Sequence, residues 1–215
     1  MPIGRSVLLA GATGLVGREC LRQLVADPGV NRVVVLARRP LPPSLQPVLS
    51  AAKLEVYRID FDRLEEHVAL MNVDQIFCAL GTTIKQAGSR QRFREIDFGY
   101  AETLARLGAR EGAHHFLLVS ALGANARSRV FYNRVKGELE DAVRRLPYRS
   151  VTIVRPSFLE GQRDEDRPFE RIALRFARFA PKRYRPVPAA RVAGALVRAA
   201  REDVQGVRVI ESEDL

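Results

Sequence analysis

Val7-Leu8-Leu9-Ala10-Gly11-Ala12-Thr13-Gly14-Leu15-Val16-Gly17 is the stretch whose reading decides the fold. An apolar run turns through glycines straight into a segment with helical spacing at Leu21, Leu24 and Val25, the pattern of a buried strand feeding a helix. Gly11 permits a tight turn, Gly14 lets backbone N–H groups approach an anion with no Cβ in the way, and Gly17 lets the helix pack closely on the strand. The helix N-terminus suits the pyrophosphate of a dinucleotide, so Gly11, Thr13, Gly14, Leu15, Val16 and Gly17 are candidate cofactor contacts. The plain alternative is a glycine turn that binds nothing.

Around this stretch the composition sets limits. The chain has 215 residues, 47% hydrophobic and 28% charged, which suits one soluble globular domain with a sizeable core. No apolar run approaches the roughly 18 residues of a transmembrane helix, so no membrane span is expected. Treating the N-terminus as a signal peptide would remove the first strand, and a cytoplasmic protein is the expectation. Cys20 and Cys78 each sit in an apolar pattern and read as core, and no metal-ligand spacing is present. The net charge of +10 is compatible with nucleic acid, membrane surfaces and phosphorylated small molecules. No helix-turn-helix, zinc or aromatic-basic motif points to specific nucleic-acid binding; salt-dependent non-specific binding is all the charge implies.

Further along, Arg32–Ala37 reads as a second strand ending in Arg38-Arg39-Pro40, with no Asp or Glu there to accept from a ribose 2′-hydroxyl. Arg38 first and Arg39 second are therefore candidates for a 2′-phosphate, which favours NADP(H); otherwise they are two solvated arginines. Leu41 to Pro47 reads as an irregular proline-rich loop, and Leu54–Ile59 as a third strand. It closes on Asp60, able to cap a short helix starting near Asp62. Gln75–Leu80 is a fourth strand; Ile84 to Arg92 reads as a flexible loop, followed by a long helix carrying Ile96, Tyr100, Leu104 and Leu107. His114–Ser120 is a fifth strand whose paired histidines alternate faces and read as structural. Arg149–Phe158 is a sixth strand entering an Arg-Pro turn, Ala189 to Arg201 a helix, and Gly206–Glu211 a final strand. The sum is a doubly wound, mostly parallel Rossmann-like α/β sheet with helices on both faces.

A second constellation begins at Ser120, the end of the fifth strand. Tyr132-Asn133-Arg134-Val135-Lys136 follows at the start of a helix continuing through Leu139, Val143 and Leu146. The i,i+4 spacing puts Tyr132 and Lys136 on one face, where an ammonium would stabilise tyrosinate and bind the nicotinamide ribose. Ser120 would orient a substrate carbonyl. These three are the candidate catalytic residues, with proton transfer through Tyr132 and hydride from the cofactor.

The Gly-x-x-Gly-x-x-Gly turn, Arg38-Arg39, Ser120, Tyr132, Lys136 and Arg155-Pro156 together make the chain resemble the atypical short-chain dehydrogenase/reductases, in particular the small Tat-interactive oxidoreductase-like group. The resemblance implies cofactor-wall roles for Ala79, Leu80, Gly81 and Thr82, an adenine contact for Asp60 as the alternative to its cap, and cofactor or substrate contacts for Pro156, Ser157 and Phe158. It also implies a supporting asparagine before the fifth strand, where this chain offers Asp97 and Tyr100. The expected organisation is one NAD(P)-binding domain over 1–215 with a small C-terminal extension from about 157, as a monomer or homodimer. The expected activity is NADP-dependent oxidation or reduction of a carbonyl/alcohol substrate, the alternative being an NADP(H)-responsive regulatory protein. A basic helix over 167–180, with Arg167, Arg171, Arg175 and Arg178 opposite Phe169, Ile172 and Phe176, reads first as a helix packed on its own domain, the alternatives being a lid over an anionic substrate, a protein-partner surface or membrane adhesion.

Overall fold

The computed structural model describes residues 4–160 and 181–215. Its strands are β1 Arg5–Ala10, β2 Val30–Ala37, β3 Leu54–Arg58, β4 Gln75–Cys78, β5 His115–Val119, β6 Ser150–Arg155, β7 Leu159–Glu160, β8 Val187–Pro188 and β9 Gly206–Glu211. Seven of them form one sheet in the order β3-β2-β1-β4-β5-β6-β9, and every neighbouring pair runs parallel. β7 and β8 pair in a small separate sheet. The main sheet is thus doubly wound, as the sequence implies, and wholly rather than mostly parallel.

The central strands read as unbroken apolar runs because both faces are covered. Val7 and Leu9 of β1 and Val33 and Val35 of β2 enter one core layer, beneath α1 (Leu15–Ala26) and α7 (Ala189–Glu202). Leu8, Ala10, Val34 and Leu36 enter the other, beneath α5 (Ala101–Arg110) and α6 (Phe131–Arg144). Cys20 and Cys78 are fully buried free thiols in these layers.

Three local expectations change. Pro43–Leu45 forms a 3-10 turn leading into α2 (Gln46–Leu49), because Leu45 is fully buried and pins the proline segment to the core. The polar stretch from Ile84 is two short helices, α3 (Ile84–Ala87) and α4 (Arg90–Arg94), not a loop. Thr83 Oγ1 accepts from the Gln86 N–H and Ser89 Oγ from the Arg92 N–H, so each helix has its own N-cap. The long helix is interrupted as well: Glu95–Tyr100 winds as a π-turn before α5 begins, and it carries Asp97 into the interior.

At the amino ends of the strands the paired histidines are structural. His115 Nδ1 lies 2.9 Å from Asp203 Oδ1 and its Nε2 lies 3.0 Å from Thr152 Oγ1, while His114 Nε2 is 3.2 Å from the other Asp203 oxygen. Burial pulls the His115 pKa down to about 4, outweighing the Asp203 charge.

Candidate functional site

The turn from β1 into α1 is built on two glycines that nothing else could replace. Gly11 has φ of 95°, and a Cβ there would stand 2.3 Å from the Ala79 carbonyl oxygen; a Cβ on Gly17 would stand 2.0 Å from the Gly11 oxygen. Gly14 differs. It is the exposed N-cap of α1, its nearest neighbour to a Cβ would be the Gly11 oxygen at 3.4 Å, and no side chain caps the helix. The first-turn N–H groups of Leu15, Val16 and Gly17 therefore have no intrahelical acceptor, and a pyrophosphate fits the cradle they make. Arg18 Nε donates to the Thr13 carbonyl at 3.0 Å and braces its rim.

Arg38 and Arg39 follow buried Ala37 at the carboxyl end of β2, exposed and with no ion pair among the described residues. Arg58 of β3 is in register with Ala37 and is equally exposed, so a third guanidinium joins the two read from the sequence. Asp60 caps the 3-10 helix Phe61–Met71, accepting from the Asp62 N–H at 3.0 Å. That is the capping role of the two the sequence left open.

At the end of β4, Ala79 and Leu80 lie against the glycine turn through the Gly11 contact. The Thr82 N–H donates to Asp97 Oδ2 at 2.8 Å, and a Cβ on Gly81 would lie 3.5 Å from Asp97 Oδ1 and 3.7 Å from Lys136 Nζ. Lys136 Nζ stands 2.7 Å from Asp97 Oδ1 in an ion pair, and both side chains are buried. Burial would drive the Lys136 pKa down, but the charge of Asp97 overrides it and holds the ammonium well above its usual range. Asp97 Oδ1 has the Lys136 ammonium as its close partner and, as a carboxylate oxygen, keeps a second lone pair able to accept from a ribose hydroxyl, which is how this end of the site fits a dinucleotide. Tyr100 takes no part: its hydroxyl donates to Asp62, and burial pushes its pKa up to about 12. Tyr132 is half-buried one helical turn from Lys136, its ring 5.5 Å from that of Phe93.

Ser120 is turned elsewhere. Its hydroxyl donates to Glu140 Oε1 at 2.5 Å, deep in the protein. Glu140 also accepts from Arg155 Nε at 2.9 Å and from Arg144 at 3.0 Å, while Arg155 reaches Glu211 at 2.8 Å. In this arrangement the hydroxyl hydrogen that would polarise a substrate carbonyl is engaged by a carboxylate. Glu140, one turn beyond Lys136 on the inward face of α6, belongs to no motif in the sequence. Its signal is an acid beside Leu139 and Val143 on the buried stripe.

The Arg-Pro turn is strapped down. Leu122 N–H donates to the Pro156 carbonyl at 2.9 Å and Ser157 N–H to Ser212 Oγ at 3.1 Å, while the Ser157 hydroxyl donates to the Arg185 carbonyl. Pro156 is buried, which leaves Phe158, 74% exposed, as the member of the trio open to a ligand. The basic helix over 167–180 lies outside the described residues.

Residues 11–203 match the model of the NAD(P)H-binding family. The mitochondrial fmp52 protein of Emericella nidulans is 34% identical over 174 residues, 80% of this chain and 74% of that protein. Protein HTATIP2 of Rattus norvegicus is 34% identical over 173 residues, covering 80% of this chain and 70% of its own length. Among solved structures, MoeE5 in complex with UDP-glucuronic acid and NAD superimposes with a TM-score of 0.72 at 20% identity, over 95% of this chain and 75% of that one. That likeness concerns the fold. The cytoplasmic expectation is corrected by the fungal relatives, from Emericella nidulans to Candida albicans, which are named as mitochondrial. Buried thiols and the lack of an apolar run say nothing about which reducing compartment a protein occupies. Among the described residues no helix is long and apolar enough to cross a membrane. With its all-parallel main sheet, glycine cradle and a match over residues 11–203, the chain belongs to the NAD(P)H-binding family, as an atypical short-chain dehydrogenase/reductase.

Proposed function

We propose that the protein is an NADP-dependent oxidoreductase that interconverts a carbonyl compound and its alcohol. The observation that carries the reading is the Lys136–Asp97 pair, set against Gly81 and one turn from Tyr132, at the same rim of the sheet as the glycine cradle. Gly11, Thr13, Gly14, Leu15, Val16 and Gly17 hold the pyrophosphate. Arg38, Arg39 and Arg58 favour a 2′-phosphate, and Ala79, Leu80, Gly81, Thr82 and Phe158 line the rest. A bound nicotinamide supplies or accepts the hydride. Tyr132 gives a proton to, or takes one from, the substrate oxygen, and Lys136, fixed by Asp97, holds the ribose hydroxyls and the charge beside that phenol. Ser120 orients the carbonyl only by exchanging its bond to Glu140, an observation that favours the second reading, an NADP(H)-responsive regulatory protein.

Titration with NADPH and NADH in parallel, followed by an aldehyde and ketone screen with Tyr132→Phe as control, tests the proposal. Preferential NADPH binding that survives in Tyr132→Phe, with turnover lost by about a hundredfold or more, supports it. Turnover retained in Tyr132→Phe overturns it.

A further inference from the structure

We infer that the substrate carries an anionic group, carboxylate or phosphate, which docks on Arg90 and Arg134 around the ring of Phe131, the residue before Tyr132. The inference rests on Tyr132 marking the reaction centre. Arg90 Cζ lies 5.3 Å from the centroid of the Phe131 ring and Arg134 Cζ 5.7 Å from it, so two guanidinium groups share one aromatic residue. Phe93 is fully buried with its ring 5.8 Å from Phe131 and 5.5 Å from Tyr132, so the cationic pair is linked to the phenol ring through two aromatic residues, Phe131 and Phe93.

Position and charge agree. Arg90 comes from the connection after β4 and Arg134 from the helix after β5, and ligands of this sheet class bind outside the carboxyl ends of the strands. Arg90's helix neighbours are neutralised: Arg92 pairs with Glu95 at 2.6 Å and Arg94 with Glu138. Neither Arg90 nor Arg134 has a carboxylate partner among the described residues. Arg134 is pre-oriented by donating to the Ser128 carbonyl at 2.9 Å, which occupies one N–H and leaves the fork free for an anion. Exposed Arg127 and Arg129, also without carboxylate partners among the described residues, flank the same loop and add to the positive field. The chemistry so recognised is a carbonyl compound with a negative charge several bonds from the reacting carbon. Its reduction consumes one hydride from NADPH and one proton, and leaves the anionic group unchanged.

The test uses 4-carboxybenzaldehyde, its methyl ester and 4-formylphenyl phosphate, titrated calorimetrically into the full chain saturated with NADP+, which has no hydride to deliver. The acid or the phosphate is expected to bind at least tenfold more tightly than the ester, and which of the two is stronger identifies the natural group. Arg90→Gln/Arg134→Gln abolishes the difference with NADP+ affinity unchanged, and Arg90→Lys/Arg134→Lys restores most of it. Equal affinity for acid, phosphate and ester, failure of both anions to bind at millimolar concentration, or a preference that persists in the double Gln variant overturns the inference. Anion-selective binding with no oxidation of NADPH in a parallel assay leaves the anion site standing and overturns the oxidoreductase reading instead.

Discussion

Lys136 and Asp97 form a buried ion pair, 2.7 Å from Nζ to Oδ1, across the interface between α6 and the π-turn that precedes α5. Removing one partner strands a charge in the interior, at a cost of about 3–5 kcal/mol. Lys136→Met and Asp97→Asn should each lower the urea midpoint strongly. The double variant should be less destabilised than the sum of the two, and a double-mutant cycle that closes additively would show that the pair is not coupled.

Gly14 and Gly17 separate binding from folding. Gly17→Ala forces a Cβ to within 2.0 Å of a backbone oxygen and is expected to lose both stability and nucleotide binding. Gly14→Ala meets nothing closer than 3.4 Å, so its thermal midpoint should stay within a few degrees of wild type while NADPH affinity falls about tenfold or more. Thermal shift with and without nucleotide reads both quantities at once.

Cofactor choice is tested at the ends of β2 and β3. Arg38→Ala is expected to weaken NADPH about tenfold or more while NADH is unchanged, since a lost charge-assisted hydrogen bond is worth about 1.5–3 kcal/mol. Arg58→Ala should act in the same direction. Equal losses for both nucleotides would show that these guanidinium groups do not read a 2′-phosphate.

His115 sets an acid limit on stability. Its pKa is about 4 in the folded protein against 6.5 as its ordinary value, so the unfolded chain takes up a proton first as pH falls. The group's contribution is intact above 6.5, is lost progressively down to about 4, and the deficit below that is about 3 kcal/mol. Urea denaturation at pH 7 and pH 4.5 should show this slope in the wild type. The slope should be smaller in His115→Gln.

Ser120→Ala distinguishes the two readings of that hydroxyl. With its hydrogen donated to Glu140 at 2.5 Å, the substitution should cost about 1–3 kcal/mol of stability. The Tyr132-dependent activity should change by less than about tenfold; a loss of a hundredfold or more would assign Ser120 to the substrate.

What the residues announce and what they conceal follows from the range of the forces involved. The glycine cradle is legible because Gly11 and Gly17 face backbone within a few residues of chain or across one strand pair, where only a missing Cβ fits. Tyr132 and Lys136 are legible because one helical turn relates them. Asp97 stands out as an acid where an asparagine was expected, but its partner comes from another element, and the π-turn that buries it has no sequence period of its own. Glu140 and Arg155 are hidden for the same reason: their pairing depends on where α6 lies against β6. The helices at Ile84–Ala87 and Arg90–Arg94 are too short to show a period, and Thr83 and Ser89 as caps are their only local sign.

Because all seven strands run the same way, the molecule has two poles with different tolerances. His115, Thr152 and Asp203 lock the pole at which strands begin, while the cradle, the cationic rim and Tyr132 gather where strands end. The bodies of β5 and β6 separate them. Exposed ligand contacts at the second pole can therefore change without touching the clasp at the first.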